Sequence, residues 1–329
     1  MNRLAYVLLI ACARPGSTPN SPIPPEPPST EPKPAEPIAT KPDEPSKPSP
    51  PPPPAKEAHD ASVTTAKPTV KLVSAGSGKK SKLAIAATAG KLGVDWELGF
   101  TATSDGKGQT LPDIVFHTDA DVSATANDTT AYKLVLKGID LKDVPGETRP
   151  DHFELALAPL AGLVIAGSVH GDGTRTDIAL HHDSVDPQTA GAIDQLVKPG
   201  ILSWWPVLPA DAIGTGAKWE VTTPREIGLS PEDMLKVDET ITYELVSRKD
   251  KTAEIKGTIK VTGAVQDIAG AKITNIGGGG TFTATLVDGL FATTHADVAT
   301  RFEVAVPEEK GTGTHKFELK FSNDVVAKK

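Results

Sequence analysis

Beyond about residue 69, apolar side chains recur at every second position, and that period decides what the chain can build. Tyr132, Leu134 and Leu136 fall on one face of an extended segment, with Lys133, Val135 and Lys137 on the other. Ile241, Tyr243 and Leu245 repeat the scheme, as do Ile255, Ile259 and Val261. A period of two is that of a strand with one face buried. Aromatic residues make up only 5% of the chain while Thr, Val, Ala and Gly are plentiful, so the buried faces must be built from small and β-branched side chains. Turn signals separate the strands. Asp288-Gly289 stands between Val287 and Leu290, and an Asp-Gly pair supplies the two positive φ angles of a tight hairpin. "VSRKDKTAEI" and "SVHGDGTRTDI" read as two more hairpins, and "VPEEKGTGTHKFEL" as a fourth with a longer loop. The expected class is mostly β: a curved antiparallel sheet, a half-barrel or a sandwich.

One segment departs from this period. In "SVDPQTAGAIDQLVKPG", Asp186 is suited to an N-cap and Pro187 to the first helical position. Ile193, Leu196 and Val197 form a helical stripe, and Pro199-Gly200 ends it, which predicts one short helix near 187–198. A weak echo, Thr129-x-x-Tyr132-x-Leu134-Val135 against Thr240-x-x-Tyr243-x-Leu245-Val246, suggests two related halves flanking it.

The N-terminal part is of another kind. Arg3 precedes an apolar run, Leu4 to Ala11, that ends at Cys12, the sole cysteine. The run has the form of a short signal peptide and falls far below the roughly 20 apolar residues that span a bilayer. From Pro15 to Pro68 lie well over half of the 30 prolines, with no aromatic residue. Such a segment buries too little to offset its ordering entropy and is expected to stay an extended spacer. The division is therefore a signal peptide at 1–11, a lipidated Cys12 with a disordered tether through 12–68, and a β-rich domain at 69–329, as one unit or two related halves. With one cysteine there is no internal disulfide, Cys-ligated zinc or catalytic thiol in that domain. A net charge of −8 and a pI near 5.5 argue against nucleic acid as a partner.

Leu9-Ile10-Ala11-Cys12 resembles a bacterial lipobox, and "WWPVLPADAIGTGAKWEV" resembles the hallmark segment of bacterial lipoproteins that combine a lipobox, a Pro-rich tether and a β-rich domain of unknown function. The resemblance covers roughly residues 85–305 and would carry over Leu208-Pro209, Gly214, Gly216 and Trp219. It implies acylation at Cys12, residence in the bacterial cell envelope as a lipid-anchored outer-membrane protein, and no catalytic residues. A more distant similarity is to envelope carriers built as a curved sheet around an apolar cavity.

Chemical motifs are few. "SAGSGKKSK" lacks the spacing of a phosphate loop, since Lys80 follows Gly78-Lys79 and Val73 stands five residues before Gly78. His170, His181 and His182 are ligand types. A hairpin turning at Gly171–Thr174 would put His170 and His181 roughly 20 Å apart at about 3.3 Å per residue, and would face His181 and His182 oppositely. No histidine metal site is expected there. His117, Asp119 and Asp121 share a strand face and read as solvated. No serine sits in a Gly-x-Ser-x-Gly elbow, and Gly277–Gly280 read as a flexible loop or irregular strand start. No cofactor, metal or catalytic residue is assigned. The segment Trp204–Trp219 is the expected site, with Trp204, Trp205 and Trp219 as ligand contacts. The leading expectation is a membrane-anchored lipoprotein that is not an enzyme and binds an apolar ligand or another envelope protein. The alternatives are a hydrolase or metal-dependent enzyme on a β scaffold, and a structural envelope component. An apolar cavity would favour the first, and converging histidines and acids in a pocket the second.

Overall fold

Strand follows strand through nearly the whole of the computed structural model, which describes residues 56–85, 89–124, 128–146, 157–193, 197, 205–229, 233–308 and 311–328. The strands are β1 (Glu57–Val63), β2 (Thr69–Ser74), β3 (Ser77–Ser81), β4 (Gly90–Ser104), β5 (Lys107–Thr110), β6 (Asp113–Ala124), β7 (Thr129–Lys142), β8 (Val164–His170) and β9 (Arg175–Val185). After helix α1 (Pro187–Ala192) come β10 (Ile213–Thr215), β11 (Lys218–Gly228), β12 (Met234–Lys249), β13 (Thr252–Thr262), β14 (Gln266–Ile268), β15 (Ala271–Val287), β16 (Leu290–Glu308) and β17 (Gly311–Lys328).

All but two of these strands belong to one antiparallel sheet that does not close, in the order β1-β9-β8-β7-β6-β4-β17-β16-β15-β13-β12-β11-β2. The long strands form two meanders. They are joined where the chain's last strand, β17, pairs with β4, as in Phe321 opposite Phe100. The expected antiparallel class is what the structure has. The turn at Asp288-Gly289 has φ of 55° and 82°, the two positive angles its sequence called for.

The N-terminal strands hold the two edges. β1 pairs with β9, placing Asp60 opposite His181, and β2 pairs with β11, placing Val70 opposite Val221. Only residues 64–68 separate β1 from β2. At about 3.3–3.6 Å per residue such a connection reaches roughly 20 Å, so the far edges of the sheet lie side by side. The sheet therefore curls into an incomplete barrel with a seam spanned by this strap.

β1 corrects the expected tether, which was drawn through residue 68. The prolines that define that composition stop at Pro54, and Lys56–Lys67 has none. Every backbone N–H is available there for pairing with β9. Residues 12–55 of that tether, Cys12 among them, lie outside the described residues.

The glycine run needs a second correction. Gly277–Gly280 lie inside β15, fully paired with β13 and β16. A Cβ added to Gly278 or Gly280 would stand 1.9 Å from the Ala299 carbonyl oxygen or 1.7 Å from that of Asp297. Side chains are missing here because neighbouring backbone lies where they would be, as at a sharp bend of a sheet.

The helix begins as expected. Asp186 accepts hydrogen bonds from the Thr189 amide at 2.9 Å and the Thr189 hydroxyl at 3.0 Å. It is described as α-helix through Ala192. Of the predicted continuation only Ile193 and Val197 are described, both fully buried.

Candidate functional site: an interior cavity

Strand register explains how the curled sheet comes to be hollow. On its inner face one level runs straight across the sheet: Val221, Ile241, Ile259, Gly280, Val298, Phe321 and Phe100 are successive cross-strand partners. All of them but Gly280 line a cavity of about 1830 Å³. The next level contains Thr223, Glu239, Val261, Gly278, Thr300 and Leu319, again with a glycine in place of a side chain. Ile241, Val298, Phe321 and Phe100 keep accessible surface despite facing inward, because that surface opens into the cavity. Few gaps larger than a water survive in close-packed interiors, and a ligand pocket is typically about 300–1,000 Å³. The strap residues Thr64–Pro68 form part of this cavity's wall.

The three tryptophans meet different fates. Trp205 lines the cavity, half-buried, with its ring edge-on to Phe291 at 4.1 Å. Trp219 does not line it: the side chain is completely buried, donates from Nε1 to the Val207 carbonyl at 2.8 Å and stacks on Tyr243 at 5.3 Å. The expectation that Trp219 contacts ligand is thus corrected to a core role, because inward residues at the Trp219–Tyr243–Phe282 level pack on one another. Trp204 lies outside the described residues. Of the resemblance positions, Leu208 lines the cavity, and its amide donates to the Asp172 carbonyl at 2.7 Å. That bond ties the segment after Trp205 to the β8–β9 turn. Gly173 sits in that turn with φ of 82°, where a Cβ would lie 2.1 Å from the Pro206 carbonyl oxygen.

Sequence reasoning missed a charged group within the apolar wall. Arg225 donates from Nε at 3.2 Å and Nη2 at 2.9 Å to one oxygen of Glu239. Arg175 also lines the cavity, although β9 and β11 lie toward opposite ends of the strand order. It faces inward because β9 carries a bulge. Ala166 pairs with Ala179 and Ser168 with Thr176, so β9 has one residue too many, and Asp177 adopts φ of 54°. Simple alternation from Ile178 and Leu180 would have turned Arg175 outward. Burial, then the neighbouring Arg225 charge, push the Arg175 guanidinium down to about 10, so it is still charged at neutral pH. Burial, and next the Glu239 carboxylate, raise the Tyr243 hydroxyl well above the usual phenol range.

The histidines are kept apart. His181 is on the outside, between Asp60 at 2.7 Å and Asp183 at 2.9 Å, whereas His182 is buried with Nε2 3.0 Å from the Ala161 carbonyl oxygen. His170 lines the cavity between Thr129 and Thr176, 3.2 Å from each hydroxyl. His117 lies 3.0 Å from both Asp95 and Asp140 in a shallow polar groove on the outer face, and Asp119 pairs with Lys137 at 3.3 Å. Among the described residues no three His, Cys, Asp or Glu side chains group as metal ligands, and no helix is long and apolar enough to cross a membrane. No protein-family model matches the chain, and no curated protein matches it in sequence.

Proposed function

We propose that the β-rich body of this protein binds one apolar small molecule inside the curled sheet, and that Cys12 anchors that body to the bacterial cell envelope. The supporting observation for binding is the cavity of about 1830 Å³ with its cross-strand lining of Val221, Ile241, Ile259, Val298, Phe321 and Phe100. An empty apolar space of this size forfeits dispersion contacts along its whole lining, and an occupant restores them. The aliphatic and aromatic lining supports a carrier or receptor over an enzyme. Anchoring is supported by the lipobox-like Leu9-Ile10-Ala11-Cys12, with the outer membrane as the expected location.

Titration with N-phenyl-1-naphthylamine, an uncharged fluorophore that brightens in apolar surroundings, tests the binding. Saturable binding near one probe per chain is expected. Binding should weaken in Ala296→Trp, whose indole takes up part of the cavity from β16. Absence of saturable binding to the wild type overturns the reading. For the anchor, labelled palmitate should enter the wild type and not Cys12→Ser.

A further inference from the structure

On the reading that the cavity holds an apolar molecule, we propose that this molecule is a lipid with two or more hydrocarbon chains on one head. The chains lie side by side within the curled sheet, and the head stays at its open end. That end is marked by lining residues that are also exposed. Glu226 lies near the end of β11, Met234 and Lys236 at the start of β12, Ala264 just past β13, and Lys67 in the strap. In antiparallel neighbours these positions fall at the same end of the strands, as Gly228 opposite Met234 shows. Deeper in, Tyr243 and Phe282 line the cavity with their rings edge-on at 5.3 Å, and Trp219 stacks on Tyr243. The space thus runs from a mouth towards an aromatic floor.

Depth and volume together set the number of chains. From Val237 at the mouth to Tyr243 at the floor, β12 advances roughly 20 Å at about 3.3 Å per residue. An extended hydrocarbon chain with bonds of about 1.5 Å advances about 1.3 Å per carbon, so roughly sixteen carbons span that depth. A methylene takes up about the volume of a liquid water, on the order of 30 Å³, so such a chain fills about 500 Å³. The cavity holds about 1830 Å³, and one chain would occupy little more than a quarter of it. Water is a poor filler for the rest, because a buried water needs polar partners and the inner levels are aliphatic and aromatic. No side chain divides the space midway across the sheet, since Gly280 and Gly278 hold the places between β13 and β16. The breadth therefore suits two or three chains abreast. Chains joined on one head lose translational and rotational freedom once, whereas separate single-chain molecules lose it each time.

Dioleoylphosphatidylcholine and oleoyl-lysophosphatidylcholine share a head and a chain and differ in chain number. Native mass spectrometry of the full chain, after incubation with each lipid and with an equimolar mixture, counts what is taken up. Displacement of bound N-phenyl-1-naphthylamine shows whether the lipid sits in the cavity. One two-chain lipid per protein is expected, displacing the probe and chosen from the mixture about tenfold or more over the lysolipid. In Val298→Trp, which narrows the cavity from β16, that preference should shrink through loss of the two-chain lipid. Equal or preferential uptake of the lysolipid, as one molecule or several, overturns the proposal and leaves apolar binding standing. So does a preference unchanged in Val298→Trp, since the second chain would then lie outside the cavity. Failure of the probe to bind at all overturns both. Should Val298→Trp not fold, the mixture and the probe displacement decide.

Discussion

The Thr65 hydroxyl donates to the Arg175 carbonyl at 2.8 Å, joining residues 110 positions apart. Thr65 is the second residue of the strap and Arg175 the first of β9, so the bond pins the strap to one lip of the seam. Thr64–Pro68 also form part of the cavity wall. Thr65→Val keeps the shape and removes the donor. It should cost about 1 kcal/mol of stability, the net worth of one such bond. It should also speed the release of a bound probe in stopped-flow more than it alters equilibrium affinity. Unchanged release would mean that molecules enter and leave elsewhere.

Trp219 and Trp205 should part company when truncated. Trp219 is completely buried, stacked on Tyr243 and bonded to the Val207 carbonyl. Trp219→Ala should cost about 3–5 kcal/mol in urea unfolding, as large aromatic truncations in cores do. Trp205 is only half-buried and lines the cavity. Trp205→Ala should cost less and weaken probe binding. The reverse order of stability losses would show that Trp205, not Trp219, plugs the sheet.

Much of the architecture was legible because it follows from local rules. Asp288-Gly289 declares its turn by needing two positive φ angles, and Tyr132, Leu134 and Leu136 declare their face by alternation. β1 was not legible because the prolines before it colour the composition of the whole segment, although the pairing-competent stretch begins where they end. Gly277–Gly280 misled for a related reason. Glycine usually marks a loop, and only the closeness of Ala299 and Asp297 on the adjacent strand shows why it is required within a strand. Arg175 was hidden by the bulge at Asp177, which reverses the face that counting assigns. The cavity itself depends on curvature across seven strands, and no single strand records that.

The glycine argument can be tested directly. A Cβ at position 280 would lie 1.7 Å from the Asp297 carbonyl oxygen, whereas one at Gly138 meets nothing within 4 Å. Gly280→Ala should destabilise by about 1–3 kcal/mol, the usual cost of forcing atoms into filled space. Gly138→Ala, also on a strand, should be neutral or slightly stabilising, since it restricts only the unfolded chain. Equal effects at the two sites would rule out close approach as the reason for the glycines.

Three outward histidines share one arrangement, and it sets a pH dependence. His117 lies between Asp95 and Asp140, His181 between Asp60 and Asp183, and His295 between Asp324 and Asp297. In each the carboxylates favour the imidazolium. The hydrogen bonds to Asp95 and then Asp140 raise His117, and those to Asp60 and Asp183 raise His181. For His295 burial pulls the other way and is outweighed by Asp324 and Asp297. A folded-state pKa above the unfolded value of about 6.5 means that the folded form binds the proton more tightly. The stabilisation is therefore complete below about pH 6.5 and is lost as pH rises through the folded values. Urea midpoints should fall between pH 6 and pH 9, and NMR titration should place all three imidazoles above 6.5. In the triple variant His117→Gln, His181→Gln, His295→Gln the decline over this interval should flatten. A wild type that holds or gains stability across it would show that the flanking aspartates do not bind the protonated rings.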